Sequence, residues 1–366
     1  MILTNYADFI IGLQYGDEGK GKIASSISEQ MSYSYTARYN GGPNAGHTVV
    51  VGDKTLKLHQ LPSSVAHKKR GYIGPGSLID FTKLEKEANV FKEIMGFCPF
   101  TYLTISPKAI VISDEHINKD KKYHAGEQGS TSSGIAPAYA DFYNRTAELA
   151  ESYSWPDENG RECIGDLKET ESLLFEGAQG FWLNPYQGTY PYTTSSSCSP
   201  GTALSNFGIS HDSLSNVVGV AKCYETRSGK DPSFRLLMSS DGSFHPPKQN
   251  FELEYKQIQK LGSEVGVTTG RKRAVRFLDL TRLIYAIKAT GTNILVLQKW
   301  DILEVASWDY ANVFCFYKNA RLVSSRSLQE MIEKIKVELY AACQGLDEII
   351  ISSSPVVEDI DWNDFL

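Results

Sequence analysis

The sequence predicts an α/β fold with a central, mostly parallel sheet and helices around it. Three observations predict it. Apolar runs at 7–13 (ADFIIGL), 217–224 (VVGVAKCY) and 293–298 (NILVLQ) are short and nearly continuous, as in strands covered on both faces. Segments with helical spacing alternate with them. Loops rich in Gly, Ser and Thr follow the strand ends, where open α/β sheets bind ligands.

Residues 7–13 read as a buried strand that runs into QYGDEGKGK and then a helix from about 22 to 31. Further strands are expected at 33–39 and 48–51, around the loop NGGPNAGH. Phe81, Leu84, Ala88, Phe91 and Met95 recur at helical spacing, which predicts a helix over 81–95. A short strand at 109–112, a helix within 137–153 and a strand at 173–175 ending at Glu176 come next. Residues 217–224 read as a central strand, 278–290 as a helix and 293–298 as a strand. Leu328, Met331, Ile332, Ile335, Val337, Leu339 and Tyr340 give a helix over 328–343 a broad apolar face. A last strand is expected at 349–351. No internal repeat or linker divides the chain, so one elaborated domain over 1–366 is expected.

The chain has 366 residues, with 37 Lys+Arg against 43 Asp+Glu and a formal net charge of −6. This acidic balance argues against a nucleic-acid partner. At 41% hydrophobic and 22% charged the composition is that of a globular protein and excludes a disordered one. No run approaches the ~18 apolar residues of a membrane span. The apolar stretch 9–13 is too short for a signal peptide and lacks a basic leader, so a cytoplasmic location is expected. Cys98, Cys163, Cys198, Cys223, Cys315 and Cys343 are scattered, and read as buried small apolar residues rather than disulfides or zinc ligands.

Six loops carry the candidate chemistry. Gly16–Lys22 nearly fits GxxxxGK[ST] but ends on Ile23, without the hydroxyl that a P-loop uses on Mg²⁺. It carries Asp17 at its apex, which suits Mg²⁺ or a proton, and Lys20 and Lys22 suit an oxyanion. The rival reading is a solvated turn. The loop 40–48 offers Asn44 as a phosphate donor and His47 as a general acid, against a hairpin with a surface His. The loop 129–137 offers hydroxyls and free N–H groups to a phosphate, against plain Ser/Thr helix capping. Gln179, at a strand end, is placed to read a purine edge, and a hydroxyl-rich run follows at 188–197. Arg271, Lys272 and Arg273 beside Gly270 suggest a carboxylate or phosphate clamp, against a nucleic-acid patch. Asp301, in Lys299-Trp300-Asp301, can accept from guanine N1–H and its 2-amino group.

Together these loops resemble adenylosuccinate synthetase, a GTP-dependent ligase of purine biosynthesis. GLQYGDEGKGK, NGGPNAGHT, GSTSSGIAPAYAD, FEGAQG, GTYPYTTSS, VTTGRKR and QKWD carry the resemblance, in the family's order. It implies a parallel-rich sheet, a homodimer, Mg²⁺, an NTP phosphoryl donor and small-molecule substrates. It makes Asp17 the base at purine N1 and, with the Gly46 carbonyl, a Mg²⁺ ligand. His47 becomes the acid and Lys20 the triphosphate contact. Asn44, Ser130, Thr131, Gln179, Thr194 and Arg271 would hold the monophosphate, with Arg145 reaching it from the second subunit. Thr268, Thr269, Arg271 and Arg273 would bind L-aspartate. Gly19, Lys20, Gly21, Lys22, Arg273, Lys299, Asp301, Ser352 and Ser354 would bind the NTP.

Two segments depart from the family. Where ordinary members have a loop like TRVGAGPFPTE beside the sugar, this chain has Thr226-Arg227-Ser228-Gly229-Lys230-Asp231-Pro232-Ser233. Where they have STGP at the NTP base, it has Ser352-Ser353-Ser354-Pro355. The departures point to the phage branch, which ligates aspartate to dGMP in the 2-aminoadenine DNA pathway, with ATP or dATP as donor in some members. The expected location is then the host cytoplasm. The alternatives are an ordinary synthetase using IMP and GTP, and a catalytically inactive nucleotide sensor. A P-loop kinase is disfavoured by Ile23.

Overall fold

The computed structural model describes residues 6–123, 130–167, 172–266, 270–307, 313–352 and 360–366. Its centre is an eight-stranded sheet. From one edge to the other, the strands are Glu348–Ser352, Ile294–Gln298, Leu214–Lys222, Tyr6–Gly12, Ser172–Glu176, Tyr35–Arg38, Gly71–Ile73 and Leu103–Ile105. Every pairing in it is parallel. Ile10, Leu174, Val218, Val220, Ile294 and Val296 face a cluster with Ile23 and Ile27 of the helix Lys20–Gln30. Phe9, Phe175 and Phe207 pack on the other face, with ring centroids 4.5 Å (Phe9–Phe175) and 4.8 Å (Phe175–Phe207) apart. Burial on both faces is why these strands read as continuous apolar runs.

A parallel sheet sends all its strands out at one edge. The loops after Gly12, Arg38, Glu176, Lys222 and Gln298 therefore converge there. A smaller mixed sheet of Tyr224–Arg227, Ala274–Asp279, Cys315–Lys318 and Arg321–Ser324 stands beside it.

Several boundaries differ from expectation. The first helix starts at Lys20, on Gly19, rather than at 22. The strand expected at 217–224 stops at Lys222, and Tyr224–Arg227 pairs instead in the smaller sheet. The helix expected over 278–290 starts at Leu280, because Asp279 caps it and Leu278 lies in the strand Ala274–Asp279. The helix expected within 137–153 is Ile135–Asn144, ended by Arg145 in the left-handed region (φ 64°). The pattern for 81–95 agrees with the helix Phe81–Met95, capped by the Asp80 side chain. No helix among the described residues is long and apolar enough to cross a membrane.

Candidate active site

A cavity of about 740 Å³ opens where the loops converge. The first loop enters it through Gly16 (φ 83°), Asp17 (φ 60°) and Gly19 (φ 99°). A left-handed non-glycine costs on the order of 1–3 kcal/mol and persists where the surroundings demand it. Asp17, Gln179 (φ 56°) and Lys299 (φ 71°) all take this conformation after strand ends and line the cavity.

Glu18 shapes the loop from inside. Its Oε1 accepts from the Gln14 and Gly16 N–H groups at 3.1 and 2.8 Å, and its Oε2 from Lys20 Nζ at 2.6 Å. The sequence showed it only as one charge in an alternating run. Gly21 allows a close approach, since a Cβ there would lie 2.5 Å from that of His47.

His47 opens the hairpin strand His47–Val51 and is buried, so the surface-His reading of this loop is wrong. Its Nδ1–H donates to Glu176 Oε1, which leaves Nε2 for the cavity. Arg38 Nη1 lies 3.4 Å from the same Glu176 oxygen, and Ser63 donates to Glu176 through its N–H (2.8 Å) and Oγ (2.7 Å). Burial, reinforced by the Arg38 charge, pushes His47 down to about 4, against the pull of Glu176. Burial alone would raise Glu176; His47, Arg38 and the Ser63 N–H hold it at about 2.

These shifts set an acid limb. Both groups sit below their ordinary values of 6.5 and 4.5, so both stabilise the fold most when deprotonated. The His47 contribution is complete above pH 6.5 and is lost as pH falls towards 4. That of Glu176 is lost between 4.5 and 2. Urea unfolding at stepped pH should show stability falling from about pH 6.5, steepest between about 4.5 and 4 where the two windows overlap. His47→Gln should flatten the upper stretch, and an unchanged profile in that variant would assign the limb to other groups.

Gln179 Oε1 accepts from Ser196 Oγ at 3.2 Å, and the Thr194 N–H donates to Leu183 O at 2.8 Å. Asn44 Oδ1 takes the Gly42 N–H at 3.1 Å. Asn44, Ser130, Thr131, Gln179 and Thr194 all line the cavity. At the third loop the helix-capping reading needs correction. The residue before helix Ile135–Asn144 is Gly134, with no side-chain cap from a Ser or Thr. Its N–H is not free either: it donates to Asp120 Oδ2 at 2.8 Å, and Ser130 Oγ donates to Asp120 Oδ1 at 2.8 Å.

On another wall, Lys22 Nζ donates to Ser352 Oγ at 3.1 Å. Burial, with Lys299 nearby, lowers Lys22 to about 8, while Asp301 opposes the shift. Asp301 lines the cavity with a buried Oδ1 that has no partner among the described residues. Arg273 forms an ion pair with Asp17 (Nε to Oδ2, 2.8 Å). Arg145 and Arg271 are exposed and lie outside the cavity lining. Thr268, Thr269 and Ser354 lie outside the described residues. Sequence reasoning missed Arg38 and Glu176, because their partners come from distant segments, and Glu18, whose bonds within its own loop show only once the turn is folded.

The sequence model of the family described as adenylosuccinate synthetase matches residues 9–156 and 157–354. The chain belongs to the adenylosuccinate synthetase family. The adenylosuccinate synthetase of Thermus thermophilus is 34% identical over 340 residues, covering 81% of this chain and 78% of its own. That of Clostridium botulinum is 32% identical over 349 residues, with the same two coverages. Fully ligated adenylosuccinate synthetase from Plasmodium falciparum superposes with TM-score 0.77 at 26% identity, over 96% of this chain and 98% of that one. The cyanophage S-2L succinoaminodeoxyadenylate synthetase, bound to dGMP and dATP as an energy donor, shares the fold at TM-score 0.63 and 21% identity, over 92% of this chain and 100% of that one.

Like other adenylosuccinate synthetases, this chain is a C–N bond-forming ligase that joins aspartate to a purine nucleotide. Its cavity fits a magnesium ion. Mg²⁺ takes one or two carboxylates and completes its shell with phosphate oxygens and water. Asp17 presents a carboxylate to the cavity that Gly46 also lines, while Glu18 is turned into the loop.

Proposed function

We propose that the protein ligates L-aspartate to C6 of dGMP, giving N6-succino-2-amino-2′-deoxyadenylate, at the expense of an NTP. A lactam C6=O is a poor electrophile. Asp17 takes the N1 proton, which makes O6 a nucleophile towards the γ-phosphorus. Lys20 neutralises the transferring phosphoryl group. The amino group of L-aspartate then displaces phosphate at C6. Bound magnesium, held by Asp17 and the Gly46 carbonyl, would supply charge neutralisation on the triphosphate. Burial lowers His47 to about 4, so it is neutral near pH 7. An arriving anion favours its charged form, so substrate itself turns Nε2 into a donor for the developing oxyanion.

The choice of dGMP rests on the segment 228–233. Ser228 lines the cavity, and its buried Oγ has no partner among the described residues. A buried hydroxyl of this kind is satisfied by a polar group of the ligand. Asp231, also particular to this segment, pairs with Arg227 Nε at 3.2 Å beside it. The lone acceptor on Asp301 suits a guanine base in the NTP, and the Ser352–Ser354 departure leaves ATP and dATP as further candidate donors. We further propose that the enzyme works as a homodimer in which Arg145 of a second copy reaches the monophosphate.

A second reading, IMP with GTP, is favoured by the relatives named adenylosuccinate synthetase. One assay separates them: dGMP or IMP with L-aspartate and Mg²⁺, each with GTP, ATP or dATP, and products resolved by mass. The succino-2-amino product from dGMP is expected. Turnover of IMP with dGMP ignored would overturn the dGMP assignment. Nucleotide binding without aspartate-dependent phosphate release would make the protein a sensor.

A further inference from the structure

The strand Leu214–Lys222 ends in a buried lysine that the reaction above does not use. Lys222 Nζ lies 3.2 Å from Glu264 Oε1, and the Tyr224 hydroxyl donates to the same oxygen at 2.7 Å. The other oxygen, Oε2, accepts from Arg273 Nη1 at 2.6 Å. All four side chains are buried. Glu264 and Arg273 also face each other through the backbone, with the Arg273 N–H donating to Glu264 O at 3.0 Å. Between them, the Gly266 N–H donates to Arg271 O at 2.9 Å and Val265 bridges Lys272. Glu264 and Arg273 are thus the two feet of one hairpin, joined by an ion pair. The Nε edge of the same guanidinium faces Asp17 in the cavity wall.

We propose that Glu264 is a positioning residue for the amino-acid substrate: anchored by Lys222 and Tyr224, it clamps Arg273 so that the guanidinium edge now on Asp17 is presented to the carboxylate of L-aspartate. This rests on the ligase reading above. A guanidinium is a planar fork, so fixing one edge fixes the direction of the other. Holding it before the substrate arrives removes ordering entropy from the binding step. The exchange of partners follows from the chemistry. Asp17 is needed by the nucleotide half-reaction, and when it is engaged there the Nε edge needs another anion.

Buried Lys222 also needs a counter-charge, so a purely structural role for Glu264 must be told apart. The full chain is compared as wild type, Glu264→Gln and Lys222→Met/Glu264→Gln. For Glu264→Gln, the KM for L-aspartate should rise about tenfold or more, with the KM for the monophosphate within about twofold. That variant should also melt earlier, because Lys222 is left uncompensated. The double variant removes the stray charge, so its melting temperature should recover while the raised KM persists. A KM that returns with stability, or that never moves in an active Glu264→Gln enzyme, overturns the positioning role alone. A wild type that consumes no L-aspartate overturns the ligase reading and this proposal together.

Discussion

Asp17→Asn should lower kcat by about 10²–10⁴-fold with the protein still folded, since a positioned acid or base is worth that much. Asn keeps the shape and tolerates the left-handed backbone that Asp17 adopts (φ 60°). It cannot accept the N1 proton, and it is a weaker partner for a divalent cation. The ion pair with Arg273 is also lost, but the Asp17 side chain is 27% exposed, and a pair screened by solvent contributes little to stability. Activity and stability should therefore separate. Steady-state phosphate release measures the first, and urea unfolding at pH 7.5 the second. A fully active Asp17→Asn enzyme would mean that the proton leaves by another route.

Glu176→Ala should have the largest effect on the fold. Glu176 is fully buried at the end of a central strand and accepts from His47, Arg38 and both Ser63 donors. Removing one partner of a buried ion pair costs on the order of 3–5 kcal/mol, because the remaining charge is stranded. Arg38 has no margin, since its Nε lacks a partner among the described residues even with Glu176 present. His47 loses the acceptor that fixes its tautomer, so kcat should fall as well. Glu176→Gln keeps the volume and an acceptor for Ser63, and should be milder in stability while still impairing turnover. The shift in urea midpoint at constant slope measures the cost. A midpoint unchanged in Glu176→Ala would show that Arg38 is compensated elsewhere.

The strands buried on both faces were legible because continuous apolar runs follow directly from a covered parallel sheet. The helix Phe81–Met95 was legible from its period, and the binding loops from glycines and hydroxyls after strand ends. The sequence alone also carried the family, since its motifs occur in order along most of the chain.

What it could not show is who meets whom. Glu176, Arg38, Lys222 and Glu264 looked like ordinary charges. They become site residues only because sheet order sets the ends of the strands Tyr35–Arg38 and Ser172–Glu176 side by side, and the hairpin from Glu264 to Arg273 folds back onto Lys222. Asp120 takes the Gly134 N–H for the same reason, from a separate helix. Chemistry within a loop is local and leaves a motif. Compensation of a buried charge is long-range: the partner need only be near in space, so its place in the sequence is free, and only the tertiary structure decides it.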